Sequence, residues 1–154
     1  MLKKVHSMNF INTALLLSLL LLATMQEAVA LEYNDGVAAF NEHDYAQAIT
    51  IFEQLLQHSP APELLDNIHF WLGESRFARG EFLAALYHFE RVFSVKNANK
   101  RGDALLKIAL CYRELGRNNS SCATLNSLDH LYHTPPQHAK RLRMQQRYCQ
   151  SDTE

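Results

Sequence analysis

The chain has 154 residues, 47% of them hydrophobic and 20% charged, and a formal net charge of −1 at pH 7. That length suits one domain around one core and excludes two. The near-neutral balance argues against a nucleic-acid binder, which needs one concentrated basic face. Charge is nevertheless unevenly placed. Residues 31–75 carry eight acids and no Lys or Arg, whereas from Arg76 onward thirteen basic residues stand against seven acidic ones. The domain is acidic at its beginning and basic at its end, a dipole that orients partners and aids solubility.

Lys3 and Lys4 precede a run over residues 10–23 dominated by Leu and Ala. The run is short for a permanent membrane span and has the length of a secretory h-region. Ala28 and Ala30 flank Val29 in the small-x-small pattern of a cleavage site, so residues 1–30 read as a signal peptide cleaved after Ala30. The mature chain then keeps 124 residues from Leu31, is periplasmic or secreted, and makes no stable membrane insertion. The alternative is an uncleaved anchor, although Asn12, Thr13 and Ser18 dilute the apolar run.

Laid against itself, the remainder repeats. Tyr33, Gly36, Phe40, Asp44, Tyr45, Ala48, Ile49 and Phe52 are answered by Phe70, Gly73, Phe77, Glu81, Phe82, Ala85, Leu86 and Phe89, at an offset of 37 residues. A weaker third unit has Leu106, Ala109, Arg113, Gly116, Ser121, Cys122 and Leu125, with Ala109 placed 36 residues after Gly73. The units fall at about 31–62, 64–98 and 101–134, followed by a capping helix and tail over 135–154. Apolar residues recur every three or four positions, as in Tyr45, Ala48, Ile49, Phe52, Leu55 and Leu56, which predicts amphipathic helices. Each unit reads as two antiparallel helices whose closest approach needs small residues, so Gly36 is expected to face Ala48 and Gly73 to face Ala85. Gly80 and Gly116 stand where a first helix must end. Ser59-Pro60-Ala61-Pro62 and Pro135-Pro136 are expected to break the chain between elements. In the capping helix, Ala139, Leu142, Met144 and Tyr148 are candidates to face the third unit. Its outer face is expected to carry Lys140, Arg141, Arg143 and Arg147, read either as a solvated surface or as a docking surface for an acidic partner.

This pattern resembles the tetratricopeptide repeat. The segment Phe70-Trp71-Leu72-Gly73 with Gly80, Ala85 and Phe89 is most similar to the repeats of the periplasmic cell-division coordinators of the Tol-Pal system. The resemblance implies an all-α solenoid of three helix pairs plus a C-terminal capping helix, without cofactor or metal. It implies an adaptor whose concave groove takes a segment of an envelope protein, in cell division or outer-membrane maintenance. Groove positions carried over onto this chain are Tyr33, Val37, Phe40 and Asn41, then Asn67, Phe70, Glu74 and Phe77, then Leu106, Leu110 and Arg113. Packing alone leaves Tyr33, Phe40, Phe70 and Phe77 divided between groove and core. A second reading is a structural subunit or assembly factor that self-associates through its acidic start and basic end, or caps a secretion or pilus machine.

Catalysis finds no support, because nucleophile elbow, phosphate-cradling glycine loop and His-Glu-x-x-His motifs are all missing from the sequence. His130, His133 and His138 lie close together without companion carboxylates and read as a solvated helix end, not a metal site. Three cysteines allow one disulfide in an oxidising compartment. Counting helix rise from the turns, Cys122 is level with Cys149 across the final turn and also with Cys111 across the preceding one. Cys122 with Cys149 is preferred, because it clamps an otherwise free terminal helix and closes the longer loop.

Overall fold

The computed structural model describes residues 15–21, 32–58, 62–128 and 135–149, and among these all regular structure is helical. A short helical stretch over 15–21 precedes the array. The array runs α1 (32–41), α2 (Tyr45–Gln57), α3 (Pro62–Ala78), α4 (Phe82–Ser94), α5 (Arg101–Glu114), α6 (Asn118–Ser127) and α7 (Pro135–Cys149). From α2 onward each helix packs on the next. The result is three helix pairs, α1/α2, α3/α4 and α5/α6, stacked in chain order and closed by α7. Cleavage after Ala30, the breaker Ser59-Pro60-Ala61, and His130 and His133 fall outside the described residues.

The turn inside each pair is the same device used three times. In the second unit Gly80 N–H donates to Phe77 O and Glu81 N–H donates back five residues to Arg76 O at 2.9 Å. The first unit repeats this with His43 to Phe40 and Asp44 to Ala39, and the third with Gly116 to Arg113 and Arg117 to Tyr112. This double closure satisfies the last carbonyls of the first helix and requires a left-handed residue at its centre. Gly80 (φ 77°) and Gly116 (φ 73°) supply it without strain, and His43 occupies the same place at φ 64°. The Asp44 carboxylate then caps α2 by accepting from Gln47 N–H at 3.0 Å.

Within the first two pairs the nearest neighbour of the first-helix glycine is an aromatic ring. A Cβ on Gly73 would stand 2.6 Å from the ring of Phe89, and one on Gly36 would stand 2.8 Å from the ring of Phe52. Each glycine is therefore a socket for an aromatic ring one turn further along the second helix than Ala48 or Ala85. Both rings are fully buried. At the matching positions of the third unit stand Ala109 and Leu125, a larger residue on the first helix and a smaller one on the second, both buried. Ser121 takes the place of Ala85 there. It is 2% exposed, and its hydroxyl donates to Ala109 O across the pair at 2.8 Å, so a polar group is buried without being orphaned.

Pro62 and Pro135-Pro136 mark the boundaries expected of them, and they do so by opening α3 and α7. The first turn of a helix has no intrahelical use for its N–H groups, so proline fits there at no cost. Helix α6 ends at Ser127.

Gly73→Ala should cost about 1 to 3 kcal/mol in urea denaturation, because the added methyl overpacks the Phe89 ring. Adding Phe89→Leu to that variant should recover part of the loss. A Gly73→Ala protein that unfolds at the wild-type urea concentration would mean the socket is not filled.

Candidate partner-binding face

The first helices of successive units touch one another directly. Trp71 of α3 donates its Nε1–H to the Tyr33 hydroxyl of α1 at 2.8 Å, and its ring lies 5.0 Å from that of Phe40. Between α3 and α5, Lys107 Nζ reaches Glu74 Oε2 at 2.6 Å, with side chains 24% and 16% exposed. The same ammonium lies 5.4 Å over the Phe77 ring, and Lys100 lies 4.7 Å over Phe70 and 5.9 Å over Trp71. Helices α1, α3 and α5 thus form one continuous surface. Its seams are closed by an aromatic contact on one side and by cations over aromatic faces on the other.

The candidate groove residues divide on this surface. Asn41 is exposed, and Tyr33, Val37, Phe40, Asn67, Glu74, Phe77, Leu110 and Arg113 are half-buried. Phe70 and Leu106 are core: Phe70 is 8% exposed with its ring edge-on to Phe89 at 5.8 Å, and Leu106 is 1% exposed. Both are spent on packing one unit against the next and are removed from the set a partner could touch. Tyr33 also packs edge-on to Phe52 at 5.9 Å. Burial pushes its hydroxyl pKa up, opposed by the Trp71 hydrogen bond and aided by the Asp66 charge. Trp71, Lys100 and Lys107 were missed as site residues. Their contacts join different units, and helical periodicity within one unit carries no trace of them.

Arg113 has a different neighbour. Its guanidinium lies 3.9 Å from the Tyr148 ring centroid, so α7 lies across the end of this surface. Helix α7 presents Arg141, Met144, Gln145, Tyr148 and Cys149 inward, at helical spacing. Arg141 is 3% exposed and donates to Gln145 Oε1 at 2.9 Å, so it is not part of an outer basic face. Leu142, expected inward, is 43% exposed. The reason is register: with Tyr148 on Arg113 and Cys149 tied to α6, position 141 points in and position 142 points out. Arg143 and Arg147 are exposed, and the Lys140 side chain falls outside the described residues.

The tie is a Cys122–Cys149 disulfide with Cα atoms 5.6 Å apart. Cys111 is buried and free, and burial pushes its thiol pKa up to about 12, which leaves almost no thiolate at neutral pH. Among the described residues no group of three His, Cys, Asp or Glu side chains is placed to hold a metal ion, and no helix is long and apolar enough to cross a membrane.

Residues 103–132 match the tetratricopeptide repeat. The match spans most of α5, the Gly116 turn and α6, the unit whose sequence departs most from the other two. No curated protein matches the chain. Repeats of this kind are non-catalytic helix pairs that mediate contact between proteins, and the three stacked pairs are the solenoid such repeats build.

Removing the disulfide by Cys122→Ser with Cys149→Ser should lower stability by about 3 kcal/mol in the chain-entropy account. Amide exchange should rise first in α7. Identical urea midpoints with and without reductant would show that the bond does not hold the cap.

Proposed function

We propose that the chain is an exported adaptor whose α1–α3–α5 surface holds a segment of an envelope protein. The observation that carries this reading is the continuity of that surface: equivalent first helices stand side by side, sealed by Tyr33–Trp71 and Glu74–Lys107. It offers half-buried apolar positions, Val37 and Leu110, beside the polar Asn41 and Asn67. An extended peptide or single helix suits such a strip, with apolar anchors for affinity and amides for register. The repeat match supports a protein partner. Support for export comes from Lys3, Lys4, the Leu-rich run and Ala28-Val29-Ala30, with Cys122–Cys149 suited to an oxidising compartment. The likeness of Phe70-Trp71-Leu72-Gly73 to the Tol-Pal coordinators favours a role in division or outer-membrane maintenance.

One observation favours a second reading, self-association. Glu32 and Asp35 are exposed on α1 and Glu42 in the turn directly after it, while Arg143 and Arg147 are exposed on α7, so opposite ends of the array carry opposite charge. Sedimentation that becomes faster at low salt without any partner would support it.

Two measurements test the adaptor. Protein recovered from the envelope should begin at Leu31, and a retained Met1 would contradict export with cleavage. A photo-crosslinking side chain at Asn41 or Asn67 should capture the same partner, whereas one at Thr50, exposed on α2, should not. Asn41→Arg with Asn67→Arg should weaken that capture at least about tenfold while leaving the melting temperature unchanged. Equal capture from all three positions would contradict the assigned surface.

A further inference from the structure

In the central unit two histidines meet where no other unit has one. His69 of α3 and His88 of α4 bring their Nδ1 atoms to 3.0 Å, and His88 is only 8% exposed. The matching positions are Glu32 and Ile51 in the first unit and Leu105 and Thr124 in the third. The contact therefore does not belong to the repeat; it is an addition to one copy. We propose that His69–His88 is a proton-operated latch, which ties α3 to α4 while a neutral ring is present to accept the hydrogen bond and releases them in mild acid.

The chemistry follows from the donors and acceptors available. One Nδ1–H donates to the other Nδ1 lone pair, so the bond needs at least one ring neutral at that nitrogen. A first added proton can be tolerated, as an imidazolium donating to an imidazole. A second leaves two donors and two positive charges at 3.0 Å. The surrounding charges make this worse. Arg91 of α4 acts on His69, and Arg76 of α3 acts on His88. The carboxylates of Glu53 on α2 and Glu81 ahead of α4 are engaged by Arg76. Tyr87 meets His88 with its ring at 5.1 Å, edge to face, and offers no charge.

Both imidazoles accordingly resist protonation. Burial lowers the pKa of His69, and the Arg91 charge lowers it further. Burial, then His69, then Arg76 bring His88 down to about 4. As pH falls below the ordinary histidine value of about 6.5, the unfolded chain takes up these protons before the folded one does. Stability from the pair is complete above that value and is lost as pH falls toward about 4. Helix α3 also carries Asn67, Glu74 and Phe77, so release would loosen the middle of the α1–α3–α5 surface. The latch itself does not depend on what that surface binds.

The test uses the whole chain. Imidazole resonances followed by NMR should show His69 and His88 titrating below the ordinary histidine value of about 6.5. Amide exchange across α3 and α4 should accelerate between pH 6.5 and 4 by on the order of a hundredfold more than in a His69→Gln/His88→Gln protein. The glutamine pair keeps donors and acceptors but does not titrate, and it shares the acid response of every carboxylate. Titration of both rings at the ordinary histidine value of about 6.5 would overturn the proposal, and so would the same acceleration in the glutamine protein. Should the glutamine protein fail to fold, the wild-type titration decides alone.

Discussion

The array depends on one steric arrangement, an aromatic ring of the second helix lying against the backbone of the first where a Cβ is missing. Phe52 over Gly36 and Phe89 over Gly73 leave no room for even a methyl group, at 2.8 and 2.6 Å. Only one rotation of each helix about its axis, and one position along it, lets the ring in. Ridge-into-groove packing permits a range of crossing geometries, and the socket selects one of them. The left-handed turn at His43, Gly80 and Gly116 then fixes how soon the second helix begins. Together they make each pair a unit with a set shape, and similar units stack so that their first helices fall side by side.

Much of this was legible from residue spacing. The 37- and 36-residue offsets locate the units, and the glycines at 80 and 116 locate two of the three turns. The third turn was hidden because His43 is not a residue type that announces a positive φ. The socket was half legible: glycine signalled a close approach, but an alanine also recurred at the same offset, and repetition alone cannot say which partner fills the space. Ser121 stands in the third unit where the second has Ala85. Its bond to Ala109 O shows how a small hydroxyl does the work of Ala85 with its hydrogen-bonding need met on the facing helix.

The partner-binding face was less legible. Periodicity assigns a residue to a helix face but does not distinguish a face turned to solvent from one covered by the next unit. Phe70 and Leu106 belong to the second kind, whereas Asn41 and Asn67 keep contact with water. On α7 the run of Lys and Arg suggested an outer basic face, yet the register set by Tyr148 and Cys149 turns Arg141 inward onto Gln145. Contacts such as Trp71–Tyr33 and Lys107–Glu74, 38 and 33 residues apart, exist only once the stacking of units is known.

If the small-residue and ring positions set the register of every unit, the third unit should accept the exchange found in the other two. The most direct measurement is a double-mutant cycle there, with Leu125→Phe, Ala109→Gly and both changes together followed by urea denaturation. Leu125→Phe alone should destabilise by overpacking, and Ala109→Gly alone by cavity and backbone entropy. The double variant should be more stable than the sum of the single losses predicts, with a favourable coupling of about 1 kcal/mol or more. Losses that simply add would contradict a shared socket and, with it, the register that places α1, α3 and α5 on one surface.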